Sequence, residues 1–154
     1  MLALRSAALL TAIAACAGAA EAQGRRPGGP PPQQQTAPAP KQEKPFPVGA
    51  AWIAVSLNGK AFSGDRPSFM LNQQYRATGF GGCNNYSATA YPLREQTFAV
   101  GPFALTHKQC AKEAMAIEQS FLVALRTATK WEQQGTALII KTQSGGELRF
   151  EKAL

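Results

Sequence analysis

Gly79-Phe80-Gly81-Gly82-Cys83-Asn84-Asn85-Tyr86 is a glycine cluster that delivers a cysteine and two asparagines between two strand-like runs. Its glycines permit a bulge or a positive φ where a sheet bends sharply. Asn84 is short enough for its side-chain amide to satisfy backbone groups at such a bend. A phosphate-binding loop would lead from a strand into a helix, and here strand-like residues follow instead. Gly79, Gly81, Gly82, Asn84 and Asn85 are therefore expected to form a structural turn, with Gly81 or Gly82 in a backbone conformation closed to other residues.

On either side of this turn the pattern is mostly β. Trp52 to Leu57 reads as a first strand that ends at Asn58-Gly59, a hairpin dipeptide. Pro67 to Leu71 enters a second strand, Tyr75 to Phe80 a third and Ser87 to Leu93 a fourth. Thr97 to Val100, Leu138 to Lys141 and Glu147 to Glu151 alternate polar with apolar residues, as half-buried strands do. Gly135 and Gly145-Gly146 mark turns between the last strands. One segment has the other period: Ala114, Ile117, Phe121, Leu125 and Ala128 recur every three or four residues, with Ala124 beside them. That stripe predicts a helix facing the sheet, with Trp131 returning the chain to the next strand.

Thr106-His107-Lys108-Gln109-Cys110 stands just ahead of the helical stripe. A leading tryptophan, the Gly-Cys-Asn turn, a threonine four residues before a second cysteine, a helix and two closing strands together resemble the META (HslJ-like) domain family of mainly bacterial envelope proteins. The resemblance covers the region from residue 50 to 154. Periodicity by itself asks only for a mixed, mainly β (α+β) domain. The resemblance implies a small antiparallel β-barrel or strongly curved sheet packed on one α-helix, and loosely implies a part in envelope stress tolerance.

The N-terminus reads as a targeting segment. Met1 to Arg5 is a short positive start, Ser6 to Ala15 an apolar stretch, and Ala20-Glu21-Ala22 a small-x-small cleavage site, so residues 1–22 are expected to be a signal peptide. Ile13-Ala14-Ala15-Cys16 also resembles a lipobox, which would make Cys16 a lipidation site and the protein a membrane-anchored lipoprotein. The downstream cleavage site, and isoleucine where leucine is usual, favour removal of Cys16 with the leader. Either route places the domain outside the cytoplasm, periplasmic or secreted. Residues 23–49 hold eight prolines and five glutamines and almost nothing apolar before Phe46, a composition that predicts a disordered, semi-extended linker.

Removal of the leader leaves two cysteines, Cys83 and Cys110. An even pair in an oxidising compartment argues for a disulfide. The competing reading is a reactive thiol near His107 and Lys108, which export disfavours.

Catalytic chemistry finds little support. His107 is the only histidine and Asp65 the only aspartate, so a triad has no nucleophile motif behind it, and one histidine with two paired cysteines cannot complete a zinc site. His107 reads as a polar surface residue. No enzyme activity, cofactor or metal is expected.

The chain carries a formal charge of +7. From residue 50 onward, eleven basic residues face seven acidic ones and are scattered among them rather than gathered into a patch, which argues against nucleic acid and for no more than weak association with anionic membrane surfaces. Two function classes remain. The first is a non-catalytic, monomeric envelope domain that binds an envelope protein or other envelope component. The alternative is a lipocalin-like barrel holding a small apolar ligand among Phe69, Phe80, Tyr86, Tyr91, Phe98 and Phe103. A filled interior with an exposed apolar patch would favour the first, and a cavity of several hundred cubic ångströms the second.

Overall fold

A computed structural model describes residues 43–154. The expected signal peptide, Cys16 and residues 23–42 of the expected linker lie outside the described residues.

The described residues form ten strands and one α-helix. They are β1 (Ala51–Leu57), β2 (Lys60–Ala61), β3 (Ser68–Leu71), β4 (Arg76–Phe80), β5 (Asn85–Pro92), β6 (Phe98–Val100), β7 (Ala104–Leu105), α1 (Lys112–Arg126), β8 (Ala128–Gln134), β9 (Ala137–Thr142) and β10 (Glu147–Lys152). Eight strands run antiparallel in the order β6-β5-β4-β3-β1-β10-β9-β8, with β2 on β1 and β7 on β5. A bridge from Thr97 to Lys130 joins the two ends, so the sheet is a nearly closed barrel. Closure removes the open edges that invite aggregation.

Local chemistry explains the turns. Asn58 and Gly59 both take positive φ (52° and 77°) in the two-residue connection between Leu57 and Lys60, the conformation that Asn-Gly favours. The Asn58 Oδ1 also accepts the Glu147 N–H at 2.8 Å, tying this hairpin to the start of β10. Alternation then sends one set of side chains inward. Trp52, Phe69, Leu71, Leu138, Ile140, Leu148 and Phe150 fill the barrel at 1% exposure or less. Full burial of a side chain of this kind contributes about 1.5–3 kcal/mol before entropy is subtracted. Phe121 of α1 completes the core by packing against Phe62, Tyr86 and Phe150.

Three features differ from the sequence reading. Phe46, within the expected linker, is buried, stacked on Phe98 with centroids 5.3 Å apart and edge-on to Trp131. Gly49 N–H donates to the Leu71 carbonyl at 2.7 Å. The packed chain thus begins ahead of residue 50, because one phenylalanine in a proline-rich stretch suffices to dock it. Ala128, the last position of the helical stripe, belongs to β8, since the helix stops at Arg126 and the Thr127 hydroxyl turns back onto the Val123 carbonyl. The short strands β2 and β7 have too few residues to show a period.

Candidate functional site

The turn between β4 and β5 is where the chemistry-bearing residues of the sequence come together. Cys83 and Cys110 form a disulfide across 27 positions, which joins the turn to the segment leading into α1. In the chain-entropy account, closing a loop of this length stabilises by about 3–4 kcal/mol.

A second clamp uses hydrogen bonds. The Glu118 carboxylate, on the inner side of α1, is only 9% exposed. It accepts the Cys83 N–H at 3.3 Å, the Asn84 N–H, and the Asn84 Nδ2 at 3.1 Å. Asn84 in turn uses its Oδ1 to accept the Thr106 hydroxyl at 2.8 Å and the Lys108 N–H at 2.7 Å. The Thr106 Oγ1 also receives the Asn85 N–H at 3.1 Å. Three segments distant in sequence, 83–85, 106–108 and the helix, therefore satisfy one another's polar groups. Burial of a carboxylate is tolerable only under this degree of satisfaction.

The glycines give the helix room to approach. Gly82 sits at φ +122°, and a Cβ there would lie 3.0 Å from Ile117 Cγ2 and 3.3 Å from the Ala114 carbonyl oxygen. A Cβ on Gly81 would stand 2.9 Å from the Glu118 carboxylate, and one on Gly79 2.1 Å from the Ser68 carbonyl oxygen. That same carbonyl accepts the Tyr86 hydroxyl at 2.8 Å. Burial holds the Tyr86 phenol well above the usual tyrosine range, because the phenolate would have to form in an apolar interior.

Asn84 thus satisfies backbone and side chains of distant segments rather than those of its own turn alone. Asn85 is exposed and opens β5, paired with Phe80. His107 is exposed between the two residues that hold Asn84, and Asp65 is exposed on a separate loop. Among the described residues no three His, Cys, Asp or Glu side chains form a metal-holding group. The sequence reading missed Glu118. Its signal was an acid set between Ala114, Ile117 and Phe121 on the apolar stripe of the helix, where a solvated charge has no place.

The aromatics offered for a ligand chamber divide. Phe69, Tyr86 and Phe98 are packed into the core, whereas Tyr91 is exposed. Outside the barrel, Leu105, Met115, Leu122 and Val123 line an open groove of about 560 Å³ along α1. Met115 and Val123 are about half exposed, at 49% and 56%.

Comparison with known proteins agrees with this architecture. A solution NMR structure of a protein from Burkholderia xenovorans superposes with a TM-score of 0.58 at 20% identity, over 77% of this chain and 99% of that one. The crystal structure of a DUF4847 family protein from Bacteroides vulgatus gives 0.52 at 12% identity, over 68% of this chain and 92% of that one. At these identities the likeness concerns the fold alone. No curated protein matches the sequence. The META domain model matches residues 46–153, from the buried Phe46 to the end of the last strand, and the chain belongs to the META domain family.

Proposed function

We propose that this protein is an exported, non-catalytic interaction module of the cell envelope, carried on the proline- and glutamine-rich arm, and that it engages a protein partner through the outer stripe of α1. The observation that carries this reading is the contrast between a packed interior and an apolar exterior. Fully buried side chains occupy the barrel, while Leu105, Met115 and Val123 are exposed along one groove that the partly buried Leu122 also lines. Met115, Leu122 and Val123 recur at intervals of seven and eight, so they form one face of the helix and can be covered by one partner element. In this reading the disulfide and the Glu118 clamp are scaffold. They fix the helix at a set angle to the barrel and thereby fix the groove.

Several features support a non-catalytic role. Cys83 and Cys110 are consumed in the disulfide, the Glu118 oxygens are committed to N–H donors, and His107 faces solvent. Export through the N-terminal segment fits the disulfide, which persists in oxidising compartments. A contribution to envelope stress tolerance, a monomeric state and indifference to nucleic acid complete the proposal.

The test is site-specific photocrosslinking in intact envelopes, with the reactive residue placed at 115, 123 or, as a control outside the groove, at exposed position 129 on β8. Protein adducts from 115 and 123 but not 129 are expected. Their absence, with an apolar molecule recovered from organic extracts of the purified protein, would instead support the ligand-holding barrel.

A further inference from the structure

At the end of the barrel away from the clamped turn, the connection from β3 to β4 holds a bulky residue where the backbone asks for glycine. Asn72 N–H donates to the Arg76 carbonyl and Tyr75 N–H to the Asn72 carbonyl, both at 3.1 Å. The loop is therefore the three residues Gln73, Gln74 and Tyr75. Hairpin loops of this length place their last residue in the left-handed region, and glycine normally fills it. Here the residue is Tyr75, at φ +58°. The conformation is enforced from both sides: Asn72 Oδ1 accepts the N–H groups of Gln74 and Arg76 at 3.0 and 2.9 Å, and the Tyr75 carbonyl accepts the Ala90 N–H at 2.9 Å.

The strained backbone delivers an exposed ring. Tyr75 and Tyr91 lie with centroids 5.6 Å apart and planes inclined at 44°, and each is 46% exposed. The pair packs no core. Beside it the outward residues of β4, β5 and β6 are small or hydrogen-bonding: Thr78 opposite Ser87, Arg76 opposite Thr89, and Ala99 opposite Tyr91. Arg76 is exposed and is the only charge among these outward side chains. Two acids lie at this end of the barrel: Glu95, in the β5–β6 turn, and Glu43, whose carboxylate accepts the Glu95 N–H at 3.1 Å.

We infer that the Tyr75–Tyr91 pair and the adjoining face of β4, β5 and β6 form a binding platform for an acidic glycan. The C–H faces of successive sugar rings stack on the two tyrosines, Thr89 and Ser87 hydrogen-bond to ring hydroxyls, and Arg76 pairs with a carboxylate on the chain. Two exposed aromatic rings beside hydroxyl-bearing side chains suit a polysaccharide strand better than an apolar peptide, which would need a groove. A non-glycine residue held in the left-handed region with its ring exposed is the kind of outlier that accompanies function. This inference stands apart from the protein contact assigned to α1, since the two surfaces share no residue.

Co-sedimentation tests it, with purified insoluble peptidoglycan as the acidic glycan and chitin as the neutral one. The protein is expected to pellet with peptidoglycan, and Tyr75→Gly and Tyr91→Ala each to weaken that binding about tenfold or more. Arg76→Gln is expected to reduce binding to peptidoglycan and leave any binding to chitin unchanged. Tyr75→Gly suits its backbone, so melting of that variant near wild type separates loss of the ring from loss of the fold. Failure of the wild-type protein to pellet with peptidoglycan would overturn the proposal. Unaltered binding by folded Tyr75→Gly and Tyr91→Ala would do the same, and insensitivity to Arg76→Gln would remove the acidic character assigned to the ligand.

Discussion

Strands β4 and β5 end in two very different ways. At one end, the turn from Gly81 to Asn84 uses glycine where positive φ and close approach demand it, and both side-chain polar groups of Asn84 meet partners from other parts of the chain. At the other end, Tyr75, Glu95 and Gln96 all adopt positive φ (58°, 56° and 55°) without being glycine; Tyr75 and Glu95 are exposed and Gln96 is half-buried. The first end is over-determined by burial, covalent closure and hydrogen bonds. The second retains backbone strain in exchange for side chains on the surface. Stability is thus concentrated at one end of the barrel, and surface chemistry is displayed at the other.

Breaking the clamped end should have the largest effect. Replacing both cysteines with serine is expected to cost about 3–4 kcal/mol by the chain-entropy account, read as a lowered denaturant midpoint. A loss under about 1 kcal/mol would show that the hydrogen bonds hold the turn unaided.

Next comes Glu118. Glu118→Ala strands the Cys83 and Asn84 donors in a buried place and should cost about 3 kcal/mol, whereas Glu118→Gln keeps an acceptor and should cost less. Asn84→Leu should resemble Glu118→Ala, and the double variant should fall short of the sum because the two share one network. Full additivity would break the picture of a single clamp.

A smaller effect depends on pH. The folded-state pKa of Tyr86 is raised above its unfolded value of 10.0. The stability tied to the neutral phenol is therefore complete below pH 10 and is lost as pH rises beyond it toward the folded value. Tyr86→Phe should remove this alkaline slope and, through loss of the bond to Ser68, cost about 1 kcal/mol at neutral pH. A slope that persists in the variant would assign it to another group.

The smallest effect sharpens the other side of the comparison. In Tyr75→Gly, relief of the left-handed backbone opposes the lost contact with Tyr91 and the added freedom of the unfolded chain, so stability should stay within about 1 kcal/mol of wild type. A larger loss would make the exposed pair a structural element after all.

Much of the architecture was legible in residue order. Alternation marked the strands around the Gly-Cys-Asn turn and at Glu147 to Glu151, the three- and four-residue spacing marked α1, and Asn58-Gly59 marked its hairpin, because these signals depend on neighbours within a few positions. Phe46 was not legible as core, since its neighbours are prolines and a charged stretch, and the rings of Phe69, Phe98 and Trp131, all distant in sequence, explain its burial. At the site, Cys83, Cys110 and Asn84 stood out by residue type. Glu118 did not, for its purpose depends on N–H groups 34 and 35 positions away.

By itself the sequence determined the mainly β class and the helix α1, and its cysteine pattern anticipated the Cys83–Cys110 disulfide, because period and composition act locally or on the chain as a whole. Tertiary structure alone decided that the sheet nearly closes through Thr97 and Lys130, that the helix reaches the turn through a buried carboxylate, and that Tyr75 meets Tyr91. Each of those facts joins residues far apart in the chain, where no local pattern records which groups will satisfy one another.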